Sequence, residues 1–481
     1  MAGIGFELKK IFRKNSVIEK LRGSAYAATI TIGPMILIIV TLFLMYYFLG
    51  YSDILFSSKE LLASTILYIF IFSLCTTAPG NSVISRYVAD KIYENKEEDI
   101  LPCYYATLTA NVVISSIVGI VFCSREYFVG HVDPMFIFSS FSAYISLVLV
   151  FVSMLYITAI KEYKKISYAF VSGLLVALIL GVLFVKLFKM DIDFSIISAF
   201  AIGFMIIAFS LFGIIRMYFK KNSRNYTGVL SYFKIHWRLF LTNTFYTYGL
   251  YVHNFVFWTT KHRIVVADSF VSAPVYDMAT CIAMFINIST MVIFIVEVET
   301  NFHDQYQTYC QSLMGGIGEE IQYAKKEMFR SIRNEIMFII EIQIIFTISI
   351  FFISLLVLPM LSVGGIITSI LPTLTVAYFV LFIMYGMIIF IYYFNVYDKA
   401  LMTSVIFFTV TFIGSLICRY LSPNFYGLGL LAGAFSALTY AYYSIHKIEK
   451  NLDYYIFCKG TITPKVVNKE YGQKIYENKI V

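Results

Sequence analysis

The sequence predicts an all-α polytopic membrane protein with about twelve transmembrane helices in two sets of six. Three observations carry this. Twelve long apolar stretches run almost end to end through the 481 residues. Only 14% of residues are charged and 59% are hydrophobic, with mean hydropathy +0.78, whereas soluble domains average about 25% charged residues. Finally, 30 of the 37 Lys and Arg fall in alternate gaps between the stretches. Basic loops stay on the cytoplasmic side of a membrane, so both termini are expected inside and the number of spans is expected to be even.

A bilayer crossing needs about 20 mostly apolar residues. Such runs lie near 25–49, 61–83, 103–123, 135–160, 166–185 and 195–215, then 239–258, 278–298, 336–358, 366–393, 400–418 and 428–445. The basic segment 216–238 divides them, and transporters are commonly built from two such halves. No residue-level repeat links the halves. The expected organisation is an N-terminal segment 1–24, a first bundle 25–215, a basic linker 216–238, a second bundle 239–445 and a cytoplasmic tail 446–481.

Residues 3–21 read as an interfacial helix. Ile4, Leu8, Ile11, Phe12 and Ile18 share one arc, with Lys9, Lys10, Arg13 and Lys20 opposite, the pattern of a helix lying on a cytoplasmic leaflet. The apolar run that follows is too long for the core of a signal peptide, so it is expected to stay as the first span. Gly33-Pro34 interrupts span one and Pro79-Gly80 interrupts span two; proline frees backbone groups and allows a membrane helix to bend. In loop 299–335, Glu319, Glu320, Lys325, Lys326, Glu327, Arg330 and Arg333 predict a short cytoplasmic helix, preceded by a break at Gly315-Gly316-Ile317-Gly318.

Several function classes are excluded or unsupported. The net charge of +8 could suggest nucleic acid, but the excess sits in loops expected to face anionic lipid, so membrane lipid and not nucleic acid is the expected partner. The glycine group at 315–318 lacks the GK[ST] of a phosphate loop. The seven cysteines, Cys75, Cys103, Cys123, Cys281, Cys310, Cys418 and Cys458, form no CxxC pair. The six histidines are dispersed without metal-ligand spacing. Neither HExxH nor GxSxG occurs. No cofactor and no enzyme activity are expected.

Span seven is the most unusual stretch. Asn243, Thr247, Tyr251, Asn254 and Trp258 fall on one face of a helix, with His253, Tyr246 and Tyr248 nearby. Amides and hydroxyls within a membrane face other protein or a wet cavity. Aromatic faces beside amides suit sugars, which present apolar C–H patches and hydroxyl rims. Hydrogen bonding to neighbouring helices is the competing role, and for Trp258 so is anchoring at the interface. Span eight carries Asn287, placed to meet span seven, and the same two roles apply. Glu297, Glu299 and Glu341 lie at or inside span ends. A buried carboxylate there can couple transport to a proton gradient; the alternative is that all three reach water or a loop cation.

Gly3-Ile4-Gly5-Phe6-Glu7-Leu8-Lys9-Lys10 and Gly33-Pro34 resemble segments of the Pel exopolysaccharide membrane transporter family, PelG. Arg86-Tyr87-Val88-Ala89-Asp90, Ser272-Ala273-Pro274-Val275-Tyr276-Asp277, Glu299-Thr300-Asn301-Phe302 and Phe425-Tyr426-Gly427 are similar too, in order along nearly the whole chain. Glu297 departs from the family pattern, which has a basic residue near that position. The resemblance implies the fold of the multidrug/oligosaccharidyl-lipid/polysaccharide flippase superfamily, with two six-helix bundles around a central cavity. It implies export of an N-acetylhexosamine-rich biofilm polysaccharide across the cytoplasmic membrane. It also implies work with a cytoplasmic glycosyltransferase and cyclic di-GMP-regulated membrane partners. The alternatives are a lipid-linked oligosaccharide flippase or small-molecule exporter of the same fold, or a membrane-embedded transferase. A polymer synthase would need a large catalytic domain, and the longest internal loop is 37 residues.

Overall fold

A computed structural model describes residues 33–51, 55–160, 162–287, 294, 302–360 and 365–458. The described residues are almost entirely helical. In order, the helices are α1 (Gly33–Phe48), α2 (Phe56–Tyr93), α3 (Ile100–Phe128), α4 (Pro134–Ile160), α5 (Tyr163–Lys186), α6 (Ile192–Tyr218), the short α7 (Gly228–Ile235) and α8 (Trp237–Phe257). A two-stranded hairpin follows, β1 (Ile264–Val266) and β2 (Phe270–Ser272). Then come α9 (Pro274–Asn287), α10 (His303–Gly315), α11 (Gly318–Met360), α12 (Ile366–Tyr393), α13 (Tyr397–Cys418) and α14 (Leu428–Asp453).

The described part of every apolar run falls on one of these helices, and two runs are matched almost residue for residue by α4 and α12. Among the described residues, nine helices are long and apolar enough to cross a membrane. Three further helices occupy the remaining runs: α1, with 16 described residues, the more polar 21-residue α8, and α9, which ends where the described residues do. The chain is therefore a multi-pass membrane protein. A backbone with no water to bond must satisfy itself, which is why the spans are continuous helices.

Packing divides the helices into two lobes. In lobe one α6 lies between α4 and α5, α4 also packs on α2 and α3, and α1 packs on α5. Its core runs from Met45 to Val229. In lobe two α13 packs between α8 and α14, and α12 packs on α14 and α9. The α13–α14 contact is close because Gly429 and Gly433 face Ser415 and Thr411, leaving no room for a Cβ, as small residues do at membrane helix contacts. The lobes meet along α2 and α8, where Ile71 and Cys75 of α2 join the core of lobe two.

Three expectations change. Helix α2 is unbroken through Pro79 and Gly80, so this pair does not interrupt the span. The charged helix of loop 299–335 does not stop before span nine. The glycine break separates α10 from α11, and α11 then runs 43 residues from the charged stretch through the apolar one. The hairpin is new: two three-residue strands are too short to leave a sequence period. The interfacial helix over 3–21 and most of the tail lie outside the described residues. Gly33 and Pro34 are the first described residues of α1.

Candidate functional site at the lobe interface

The hairpin sets up the site. Ala267 and Asp268 both have positive φ, at 48° and 47°, the turn geometry that matches strand twist. The turn reverses the chain between α8 and α9. Pro274 opens α9, and Asp277 in its first turn accepts a hydrogen bond from the Ala273 backbone N–H at 3.0 Å. The helix start thus fixes the Asp277 carboxylate against the end of α8.

Asn254 in the last turn of α8 and Trp258 just past its end, four residues apart, both reach that carboxylate. The Asn254 Nδ2 donates to Asp277 Oδ1 at 2.7 Å. The Trp258 Nε1 donates to both oxygens, at 3.1 and 3.0 Å. All three side chains are at least nine-tenths buried, and no salt bridge to Asp277 is present among the described residues. Beside them His253 Nδ1 shares a 2.8 Å hydrogen bond with the Tyr276 hydroxyl. Asn254 Oδ1, His253 Nε2 and Ser272 Oγ are buried without a hydrogen-bond partner among the described residues.

Lobe one meets this cluster through Tyr68 of α2. Its ring stacks on Trp258 at 5.1 Å with the planes 5° apart. Its hydroxyl donates to the Val271 carbonyl at 2.8 Å and accepts the Val271 N–H at 3.0 Å. Tyr68 therefore caps a strand of lobe two.

Eighteen residues further along α2, roughly 27 Å at 1.5 Å per residue, Arg86 makes a second bridge. Its Nε donates to Asp90 at 3.2 Å, and its Nη1 to Asn395 at 3.2 Å and to the Tyr397 hydroxyl at 3.5 Å. Tyr397 in turn donates to Asn395 Oδ1 at 2.6 Å. The His236 ring meets Tyr397 edge-on at 5.9 Å. Burial, with the Arg86 charge, pushes the His236 imidazole below its usual value. The two lobes are thus bridged at both ends of α2.

The residues singled out in the sequence separate accordingly. Asn254 and Trp258 come together on Asp277. Asn243 donates to the Ala78 carbonyl of α2 at 3.1 Å, so it sits on the seam between the lobes. Thr247 is buried and Tyr251 half-buried on the same helix. Among the described residues, Asn287 makes its hydrogen bonds away from span seven. It donates to the Thr375 carbonyl of α12 at 2.9 Å, and its Oδ1 accepts from Gln343 and Thr347 of α11 at 3.3 and 2.9 Å. Glu341 is exposed on α11, among the exposed apolar side chains Phe338, Ile344 and Ile345. Glu297 and Glu299 lie outside the described residues. Gly80 faces Ile84 of its own helix and Phe233 of α7.

Tyr68, Arg86 and Asp277 were not among the sequence candidates. Asp277 reads in the sequence as one of several acids in a near-neutral outer gap. The available signal was that Arg86 and Asp277 are the charged ends of two family-like motifs. Among the described residues, no group of three or more His, Cys, Asp or Glu is placed to hold a metal ion.

The fold is similar to solved transporters. A MOP superfamily transporter from Pyrococcus furiosus matches with TM-score 0.59 at 11% identity, over 90% of this chain and 96% of that one. An outward-facing multidrug resistance MATE family transporter of the same superfamily matches with TM-score 0.57 at 13% identity, over 89% and 96%. An inward-facing one matches with TM-score 0.52 at 10% identity, over 82% and 92%. At these identities the likeness shows the fold alone. No curated protein matches the sequence. A family model described as "Putative exopolysaccharide Exporter (EPS-E)", PelG, matches residues 1–457. With that match spanning nearly its whole length on a MOP-type transporter fold, the chain belongs to the PelG family of exopolysaccharide exporters.

Proposed function

We propose that this transporter exports a Pel-like, N-acetylhexosamine-rich exopolysaccharide across the cytoplasmic membrane to form biofilm matrix. The observation that carries the reading is the family match over residues 1–457. Both termini lie in the cytoplasm, as the alternation of basic loops argues. The polymer is made by a cytoplasmic glycosyltransferase, acting with cyclic di-GMP-regulated membrane partners. The linker 216–238, the α10–α11 region and the tail offer the largest surfaces for docking them. The groove of about 690 Å³ between α10 and α11, lined in part by Asp304, Arg330 and Asn334, belongs to that region.

The route runs along the seam where α2 meets α8. On that seam Asn243, Thr247 and Tyr251 supply the amide, hydroxyl and aromatic groups that a sugar chain uses. Asn254 and Trp258 hold the end of the seam through Asp277, and Asn287 braces α9 against α11 and α12. A lipid-linked oligosaccharide flippase is the second reading, favoured by the likeness to the flippase-containing superfamily.

The test is secretion in cells that carry the synthase. Removing this chain should abolish extracellular polymer while synthase activity persists in isolated membranes. Undiminished secretion sinks the export reading. Accumulation of a short lipid-linked oligosaccharide in place of polymer supports the flippase instead.

A further inference from the structure

We propose that Asp277 is a proton-binding site of lobe two, and that its protonation state sets whether Trp258 is held against Tyr68 of lobe one. An ionisable group placed among membrane helices is a functional candidate by default. Here four further observations support it.

The carboxylate is buried and, among the described residues, meets only neutral N–H donors: Asn254 Nδ2, Trp258 Nε1 and the Ala273 backbone. Those donors occupy the oxygens from several sides, which suits an anion and leaves little room for a metal ion. The Asn254 amide uses its Nδ2 and leaves Oδ1 buried with no protein partner. It therefore holds a second bonding state in reserve. When a proton from water adds to Asp277 Oδ1, the amide turns by half a rotation, and its free oxygen accepts the new O–H. No other covalent bond changes. The neutral acid is a weaker acceptor than the carboxylate, so the Trp258 N–H loses the charge-assisted bond that orients its ring. Since that ring stacks on Tyr68, the proton acts on the contact between the lobes.

The groups around the site are few. On α8 the neighbour is His253, whose Nδ1 is taken by Tyr276. Tyr276 and Cys281 of α9 and Tyr378 of α12 all lie within electrostatic reach of Asp277. From lobe one Tyr68 lies within electrostatic reach of it, and Arg125 and Glu126 of α3 lie within reach of Tyr68. His253 is the rival proton acceptor, because its Nε2 also lacks a partner.

The chain has two tryptophans, Trp237 and Trp258. Full-length protein carrying Trp237→Phe, purified in lipid nanodiscs, leaves Trp258 as the sole indole. Its fluorescence is followed between about pH 5 and about pH 9 at constant sodium, with size-exclusion profiles checking the fold. The expected result is a single-proton transition that Asp277→Asn abolishes and His253→Gln preserves. A transition that survives Asp277→Asn, one that disappears with His253→Gln, or a flat profile in the parent protein overturns the proposal. A response to sodium at fixed pH that Asp277→Asn removes also overturns it, in favour of a metal cation. Should Asp277→Asn fail to fold, Asn254→Leu carries the test: losing the amide donor moves the midpoint up by about one pH unit, and an unmoved midpoint refutes the mechanism. Proton binding is read here without any exported polymer, so its failure leaves the export reading standing.

Discussion

Trp258 is held on two sides at once: its indole N–H reaches Asp277 Oδ2 at 3.0 Å, and its ring lies flat on Tyr68 at 5.1 Å. One bond stays within lobe two and the other contact crosses to lobe one. Trp258 thus links a carboxylate of lobe two to a ring of lobe one.

Removing the carboxylate should therefore be costly. Asp277→Ala leaves the Asn254, Trp258 and Ala273 donors without their acceptor, at about 1–3 kcal/mol for each donor that water cannot reach. The expected outcome is a clear drop in thermal stability in detergent. Tyr68→Leu should cost less and should leave lobe two intact. Equal stability of Asp277→Ala and the parent protein would show that water reaches all three donors.

Arg86 is expected to resist conservative replacement. Its guanidinium touches Asp90 on its own helix and Asn395 and Tyr397 on the other lobe. Lysine carries the charge but not the fork. Both Arg86→Lys and Arg86→Gln should loosen the bridge, read as faster crosslinking by a short reagent between cysteines placed in α2 and α13. A crosslinking rate for Arg86→Lys equal to that of the parent would mean that charge alone holds this end.

Asn287→Leu tests packing in lobe two. Asn287 bonds to α11 and α12 together, so its loss should cost about 1–3 kcal/mol and lower the melting temperature. Export per unit of folded protein should stay near normal, because these bonds lie away from the seam. Normal stability with lost export would return Asn287 to the transport path.

The His236 ring gives a pH dependence with a defined sign. Its folded-state value lies below the ordinary 6.5, so the unfolded chain binds more protons in the window between the two. Stability from this group is complete above about pH 6.5 and is lost as pH falls through that window. Melting temperature measured against pH should show an acid slope that His236→Gln reduces. An unchanged slope would assign acid sensitivity to other groups.

Topology is testable at two exposed lysines. A cysteine at Lys261, beside the hairpin, should label from outside the cell, and one at Lys220, after α6, should label only after permeabilisation. The reverse pattern would invert the orientation read from the basic loops.

The spans were legible because each is a local property: twenty apolar residues announce themselves whatever surrounds them. The site was legible only in part. Asn254 and Trp258 stood out as polar and aromatic groups on one helix face, but their partner did not. Asp277 follows a three-residue strand, and its burial arises from the chain reversal at Ala267–Asp268. No sequence period records that reversal. The hydrogen-bond partners of Asn287 were hidden for a similar reason: its face was readable, but which groups it would bond depends on how α9 packs against α11 and α12. Helix α11 was split in the sequence because its charge changes abruptly, although the backbone hydrogen bonding does not.

The unbroken course of α11 has a mechanical meaning. At 1.5 Å per residue its 43 residues make a rod of about 64 Å, roughly twice the hydrocarbon thickness of a bilayer. Near its charged end, Lys325 and Arg333 are tied to Asp453 and Glu449 of α14; further along, Gln343 and Thr347 reach Asn287. A push delivered at the water-facing end has no joint in which to dissipate, and so arrives within the bilayer as a rotation or tilt of the same rod.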